Sequence, residues 1–218
     1  SPITDWDEYK SELAIRLGNT NTLSQVIENK AKLDLQRVVF ADVENVTMLK
    51  AAKVVIEDKI AQPILLGNRA IIQGMLDEHN IELPGVEIID PKKCIDDSEK
   101  QRIRDYAAIY HDKLKRKGIN LDEAYKAVRS RAYYGAMMVE TGDADAMIGG
   151  LSRRFTDTVR PALQIVGARE GVKKVAGMHI LMTKSGPLFL SDTSINHHLN
   201  EEDIADITEL TAEAVRSF

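Results

Sequence analysis

The chain has 218 residues, of which 44% are hydrophobic and 29% are charged. That length suits one large domain or two small ones with a proper buried core. The formal net charge of −5 gives no general attraction to nucleic acid or to an anionic membrane, so any anion site must be local. No apolar run approaches the roughly 20 residues that span a bilayer, and no signal-like segment opens the chain.

Cysteine usage indicates the compartment. Cys94 is the only cysteine, which excludes an internal disulfide and is typical of a reducing cytoplasm. It lies in the polar run "DPKKCIDD" with no histidine nearby in the sequence, so a loop thiol is favoured over a nucleophile. The chain begins with Ser1 instead of Met, and we therefore expect it to have been processed or cut from a longer protein.

The pattern of apolar and polar residues changes near residue 37. Two helices are predicted before it, one capped by Asp5 and one over about 21–33. Short apolar runs then alternate with amphipathic stretches, which predicts strands at 37–42, 63–67 and 86–90 and helices at 46–60 and 68–80. This alternation indicates βαβ units, and hence a parallel sheet with helices on its faces.

The middle of the chain is predicted to be helical. A long amphipathic helix covers about 98–116 and ends at Gly118, and Asn120 caps the next one. In "RAYYGAMMVETG" each tyrosine precedes a methionine by four residues, which favours a core helix over a methionine-rich ligand surface.

The last part of the chain alternates again. We predict a strand at 144–150, a helix at 156–167, strands at 172–183 and 186–192, and a helix from Asn200 with Asp203 three residues on. No partner is evident for the last two strands, so the fold is expected to be incomplete. Pro161 either kinks its helix or marks a later helix start.

The segment Gly142–Gly167 carries the candidate site. Ligands of open α/β sheets bind beyond the C-terminal ends of the strands, and a helix start there offers free N–H groups to an anion. Arginine adds directional donors for phosphate. The candidate ligands of a phosphate or of coenzyme A (CoA) are Gly149, Gly150, Arg153, Arg154, Thr156, Thr158 and Arg160. The segment matches no Walker or dinucleotide pattern, and a plain turn with solvated arginines is the alternative.

Other clusters of polar residues favour structural interpretations. Asp143 and Asp145 fit a polar turn better than an acid/base or metal pair, and the adjacent His197 and His198 lack metal-ligand spacing. The run "KLKRKG" could bind a nucleotide phosphate, but it also suits the end of an exposed helix. We therefore assign no catalytic residue and no metal ligand.

The motifs "YYGAMMVETGDADAMIGG" and "TDTVRPALQIVG" resemble the phosphate acetyltransferase (phosphotransacetylase) family. The resemblance runs from about Arg37 to the end. It implies a dimeric two-domain α/β protein that interconverts acetyl-CoA and acetyl phosphate without a metal, with its active site between the domains. It also implies that Arg160 is the substrate-binding arginine. The family's later serine and aspartate have no counterpart, so this segment is not expected to run the reaction alone.

Two departures from the acetyltransferase pattern refine the resemblance. Arg154 and Phe155 replace a hydroxyl pair, and Leu114 stands where the family often has an arginine. These features, with "SDTSIN" and the linker-like "PITDWDEYKSEL", are similar to the C-terminal domain of NADP-dependent malic enzymes. That resemblance implies an acetyl-CoA sensor regulating an N-terminal domain that oxidatively decarboxylates malate to pyruvate. NADP and a divalent metal would belong to that other domain.

The sequence thus predicts a truncated α/β chain with a Rossmann-like parallel sheet flanked by helices, phosphotransacetylase-like, and the start of a second α/β subdomain. The expected parts are a helical linker (1–36), domain I (37–170) and the beginning of domain II (171–218). Three hypotheses stay open: a regulatory segment of a malic enzyme, a fragment of a free-standing phosphate acetyltransferase, and an oligomerisation module built on the Tyr/Met helix and the C-terminal helix. The expected partners are acetyl-CoA or acetyl phosphate, an N-terminal malic enzyme domain, and further copies in a homo-oligomer.

Overall fold

A computed structural model describes residues 24–183 and 185–217. The described residues divide into a large unit, Ala31–Gly167, and a small unit that combines residues 168–217 with residues 24–30. The predicted helix capped by Asp5 lies outside the described residues. The second predicted helix is helical over its described part, 24–33 (α1). The expected domain boundaries stay a prediction.

The large unit is built on a parallel sheet, as the sequence predicts. Its four strands have the order β3-β2-β1-β4, with each neighbouring pair parallel. The strands are β1 (Arg37–Phe40), β2 (Gln62–Leu66), β3 (Glu87–Ile89) and β4 (Ala146–Ile148). β4 is shorter than the predicted 144–150, because the register with β1 pairs only Ala146 to Ile148.

Helices cover both faces of this sheet. They are α2 (Val46–Glu57), α3 (Arg69–His79), α4 (Asp97–Leu114), α5 (Leu121–Val128), α6 (Arg131–Thr141) and α7 (Phe155–Ile165). Successive strand residues point to opposite faces. Val39 packs into a cluster with residues of α4, α5 and α6, whereas Phe40 packs into a second cluster with residues of α2 and α3. The result is a three-layer α/β arrangement, with all strand C-termini at one edge of the sheet.

Side-chain caps begin several of these helices. Asn45, Asn68 and Asp96 accept hydrogen bonds from backbone N–H groups in the first turns of α2, α3 and α4. Asn120 forms a reciprocal capping box with Glu123 at the start of α5, so that predicted cap is confirmed. After α4 a short 3₁₀ turn ends at Gly118, which takes the left-handed conformation with φ of 90°.

α6 belongs to the core of the large unit. Tyr134, Met137 and Met138 are almost fully buried, and the Tyr134 ring packs edge-on against Tyr106 at 5.1 Å between centroids. Core packing, the favoured interpretation of the Tyr/Met run, is confirmed. This apolar face is thus buried within its own unit, and the hypothesis that the chain forms subunit contacts stays a prediction.

The small unit contains a hairpin and a helix. β5 (Met178–Thr183) pairs antiparallel with β6 (Gly186–Ser191), so the two strands that lacked an evident partner pair with each other. Residues 172–177 are not in a strand, contrary to the prediction. α8 (Glu201–Val215) starts with the expected capping box between Asn200 and Asp203.

Candidate functional site

The candidate site lies where β4 ends at the C-terminal edge of the sheet. Gly149 and Gly150 follow β4 directly, and the Ala41 N–H donates to the Ile148 carbonyl at 2.9 Å, so β1 and β4 end side by side. A Cβ added to Gly149 would lie 3.4 Å from Thr158 Cγ2 and 3.5 Å from Ala41 Cβ. Gly150 has φ of +103°, a conformation that side chains rarely adopt. The two glycines therefore let the loop turn closely over the start of α7.

Asp42 fastens this loop. Its side chain is 1% exposed, and its carboxylate accepts hydrogen bonds from Gly150 N at 2.8 Å, Ser152 N at 3.5 Å and Arg153 Nε at 3.1 Å. Burial alone would raise the pKa of Asp42, but the hydrogen bonds from Gly150, Ser152 and Arg153 hold its pKa below the ordinary value. Asp42 is therefore a buried carboxylate that occupies donors the loop would otherwise offer to a ligand.

The predicted site residues separate into two groups. Gly149, Gly150 and Arg153 belong to the loop. Thr158 of α7 packs against the two glycines, and its hydroxyl is buried without a hydrogen-bond partner among the described residues. Arg154, the N-cap residue of α7, is exposed, as are Thr156 in the first turn and Arg160 in the second turn. Thr156 and Arg160 are four positions apart and so share one side of the helix. For Arg154 and Arg160, the described part of the chain supplies no ion-pair partner, which leaves both free to bind an anion.

The start of α7 decides between the two alternatives for Pro161. The helix begins at Phe155, so Pro161 lies inside it and is not explained by a later start. Proline has no N–H to donate to the preceding turn, and the Pro161 ring is buried. Asp157 adds a carboxylate in the first turn, next to the exposed arginines.

Sequence reasoning missed Asp42 as a part of this site. The signal available was its position, an acidic residue directly after the apolar strand "RVVF" at the edge where ligands of parallel sheets bind. Its partners, Gly150 and Arg153, are more than a hundred positions away. Only the order of the strands brings them together.

The other candidate clusters have structural partners. Asp145 pairs with Arg37, with Oδ1 and Nη2 2.9 Å apart, and Asp143 accepts hydrogen bonds from Tyr106 and Thr141. The two carboxylates therefore serve separate contacts, as the polar-turn interpretation expects. In "KLKRKG", Lys113 pairs with Glu140 and Lys115 with Asp112.

Leu114 is 5% exposed and packs in the core, so a side chain at this position is not presented to a ligand. Within the described residues, no three His, Cys, Asp or Glu side chains are grouped so that they could hold a metal ion. The same residues include no helix that is both long enough and apolar enough to cross a membrane.

This arrangement of a short parallel sheet, two helical layers and a glycine loop before α7 is a phosphotransacetylase fold. A phosphotransacetylase structure from Streptococcus pyogenes superimposes with a TM-score of 0.78 at 27% identity, over 89% of this chain and 58% of that one. Residues 22–218 match the family described as phosphate acetyl/butaryl transferase, and the chain belongs to that family.

Two kinds of curated relative are similar to this chain. The NADP-dependent malic enzyme of Salmonella typhimurium is 30% identical over 100% of this chain and 28% of its own length. The phosphate acetyltransferase of Nitratidesulfovibrio vulgaris is 28% identical over 87% of this chain and 26% of its own length. The chain thus spans about a quarter of the length of both relatives.

Proposed function

We propose that this chain is the phosphotransacetylase-like regulatory segment of an NADP-dependent malic enzyme, where it senses acetyl-CoA and contributes to oligomerisation. One observation carries the proposal: Asp42 holds Arg153 and the loop, while Arg154 and Arg160 stay exposed at the start of α7. A prepared turn with two free cations at a helix start suits the phosphates of CoA. The similarity to malic enzymes over the whole chain supports the parent protein.

The same geometry favours binding over turnover. Acyl transfer to CoA needs a base for the thiol, and Asp42 is a carboxylate that contacts the loop directly. Its lowered pKa and its hydrogen bonds to Gly150 and Arg153 make Asp42 a poor proton acceptor. Phe155 places an exposed aromatic ring where the acetyltransferase pattern has a hydroxyl. The parent's malate oxidation with NADP and a divalent metal, and its cytoplasmic location, belong to this proposal.

The proposal is tested by calorimetry with acetyl-CoA on the full-length protein, together with malate turnover at increasing acetyl-CoA. We expect saturable binding of acetyl-CoA and a change in malate turnover. In Arg160→Gln the dissociation constant for acetyl-CoA, and the acetyl-CoA concentration needed to change turnover, should each rise at least about tenfold. Lys50→Gln, an exposed charge change on α2, is the matched control and should behave like the wild type. If acetyl-CoA neither binds nor alters malate turnover, the regulatory function is wrong.

A second function, phosphate acetyltransfer in a longer chain, is favoured by the similarity to acetyltransferases and by Arg160 in the run "TVRPALQIVG". Formation of acetyl-CoA from acetyl phosphate and CoA by the full-length protein decides between the two. Turnover that depends on Arg160 would establish acyl transfer and overturn the purely regulatory role. A folded, full-length protein without this activity would rule the second function out.

A further inference from the structure

A cavity opens at the same edge of the sheet, beyond the C-terminal ends of β1, β2 and β3. Its volume is about 290 Å³, and its polar lining includes Glu44, Asn68, Asp90, Lys92, Lys93 and Arg131. None of the candidate residues of the Gly142–Gly167 segment lines it. The cavity is therefore a separate place to look for a ligand, at the edge where ligands of parallel sheets bind.

The two acidic groups of the cavity already have partners. Glu44 Oε1 accepts the Asn68 N–H at 3.0 Å and lies 3.1 Å from Arg131 Nη1. Asp90 is 5% exposed, and its Oδ1 accepts the N–H groups of Lys92 at 2.9 Å and Lys93 at 3.2 Å. Both carboxylates therefore serve to shape the walls, and neither is free of local donors.

The cationic groups of the cavity have fewer hydrogen-bond and ion-pair partners than its carboxylates. Throughout the described residues, neither the Lys92 nor the Lys93 ammonium group has a hydrogen-bond or ion-pair partner. Arg131 Nη1 is buried, and although it lies close to Glu44, its N–H groups make no aligned hydrogen bond within the described part of the chain. Three cations against two carboxylates leave the lining with an excess positive charge, in a chain whose net charge is negative.

The wall that carries the lysines is held rigidly. Arg129 Nη2 donates to the Lys92 carbonyl at 2.6 Å, and Arg69 Nη1 donates to the Lys93 carbonyl at 3.0 Å. Arg69 also donates to the Ile88 carbonyl and pairs with Glu99. Because these hydrogen bonds fix the backbone at Lys92 and Lys93, binding a ligand there would not carry the free-energy cost of ordering a loop.

We propose that this cavity binds a small phosphorylated molecule, with its phosphate contacted by Lys92, Lys93 and Arg131. The start of α3 does not supply the site, because the Asn68 side chain already takes the N–H groups of Ala70 and Ile71. A phosphate with several acceptor oxygens matches ammonium and guanidinium donors better than a single-charge anion does. This site is independent of the proposed function.

Calorimetry on the full-length protein at low ionic strength tests the cavity, with inorganic phosphate and then glycerol 3-phosphate as probes. We expect saturable binding that weakens at least about tenfold in Lys92→Gln/Lys93→Gln. The matched control is Lys50→Gln/Lys126→Gln, which removes the same charge from helix positions outside the cavity and should bind like the wild type. Thermal unfolding of each variant checks that the fold is intact.

A third variant separates this site from the one at α7. Phosphate binding that survives Arg160→Gln but is lost in Lys92→Gln/Lys93→Gln supports the cavity, whatever acetyl-CoA does. Binding that is equal in the lysine variant and the wild type, or no binding of either probe to the wild type, overturns the proposal. Loss of phosphate binding only in Arg160→Gln overturns it as well, while leaving the proposed function standing.

Discussion

Asp42 and Arg153 lie 111 positions apart in the sequence, yet Asp42 Oδ1 and Arg153 Nε are 3.1 Å apart. The carboxylate is almost fully buried, whereas the Arg153 side chain remains 36% exposed. This ion pair therefore connects the residue after β1 to the loop before α7, and its main role is to hold the loop in place. Changes to either partner should accordingly be visible first in the stability of the fold.

Replacing Asp42 by Asn should loosen the loop. The amide of Asp42→Asn would keep an acceptor for Gly150 but lose the charge that Arg153 and Ser152 face, so we expect the free energy of unfolding to fall by about 1–3 kcal/mol. Urea unfolding at pH 7 measures this change. Glu78→Gln, which neutralises an exposed carboxylate on α3, should stay within about 0.5 kcal/mol of the wild type. Equal stability of Asp42→Asn and Glu78→Gln would contradict a structural role for the carboxylate.

Replacing Arg153 and replacing Arg160 should have different effects. Arg153→Gln leaves the buried Asp42 short of a donor, so we expect a loss of about 1 kcal/mol in stability. Arg160→Gln removes an exposed cation and should change stability by less than about 0.5 kcal/mol while weakening acetyl-CoA binding. Thermal unfolding and calorimetry on both variants check the separation. A stability loss in Arg160→Gln as large as that in Arg153→Gln would show that Arg160 has a structural partner.

Two glycine-to-alanine substitutions in helices should change the stability of the protein in opposite directions. A Cβ at Gly135 in α6 would lie 2.7 Å from Met147 Sδ and 3.1 Å from Val39 Cγ1, so overpacking should cost about 1–3 kcal/mol. A Cβ at Gly74 in α3 meets no described atom within 4 Å, so the better helix former should stabilise by about 0.5–1 kcal/mol. Chemical unfolding of the two variants measures both effects. Stabilisation by Gly135→Ala would mean that the α6–β4 contact is looser than described.

Asp192 should make the stability of the small unit depend on pH. Burial opposes ionisation, but the N–H groups of Gly177, Asn196 and Ser194 outweigh it, and the pKa of Asp192 lies well below its ordinary value. A lowered folded-state pKa means that the stabilisation is complete above about pH 4, the unfolded value, and is lost as the pH falls further. We therefore expect Asp192→Asn to destabilise the protein at pH 7, and this difference to shrink towards pH 3.

Unfolding curves of wild type and Asp192→Asn, measured at intervals from pH 7 to about pH 3, give this dependence. Glu209→Gln in α8 is a suitable control, since Glu209 is an exposed carboxylate of the same unit. A constant difference between wild type and Asp192→Asn over the whole range would show that the carboxylate is not ionised preferentially in the folded state.

Much of the fold could be predicted because its signals are local. The apolar run "RVVF", the cap at Asn120 and the box of Asn200 with Asp203 each depend on residues within one or two turns of one another. The pairing of β5 with β6 was missed because both runs are short and apolar, and such runs do not specify their partner. The length of β4 was overestimated for a related reason, since a strand ends where its neighbour stops pairing.

By itself the sequence determined the succession of strands and helices along the chain and the parallel sheet, and it pointed to the segment that is proposed to bind an anion. It did so because periodicity, caps and turns are encoded within a few neighbouring residues. Tertiary structure alone decided that Arg153 faces Asp42 while Arg160 faces solvent, and that Lys92, Lys93 and Arg131 line one cavity. These contacts join strand ends that are far apart in the chain, so they depend on the strand order of the finished sheet.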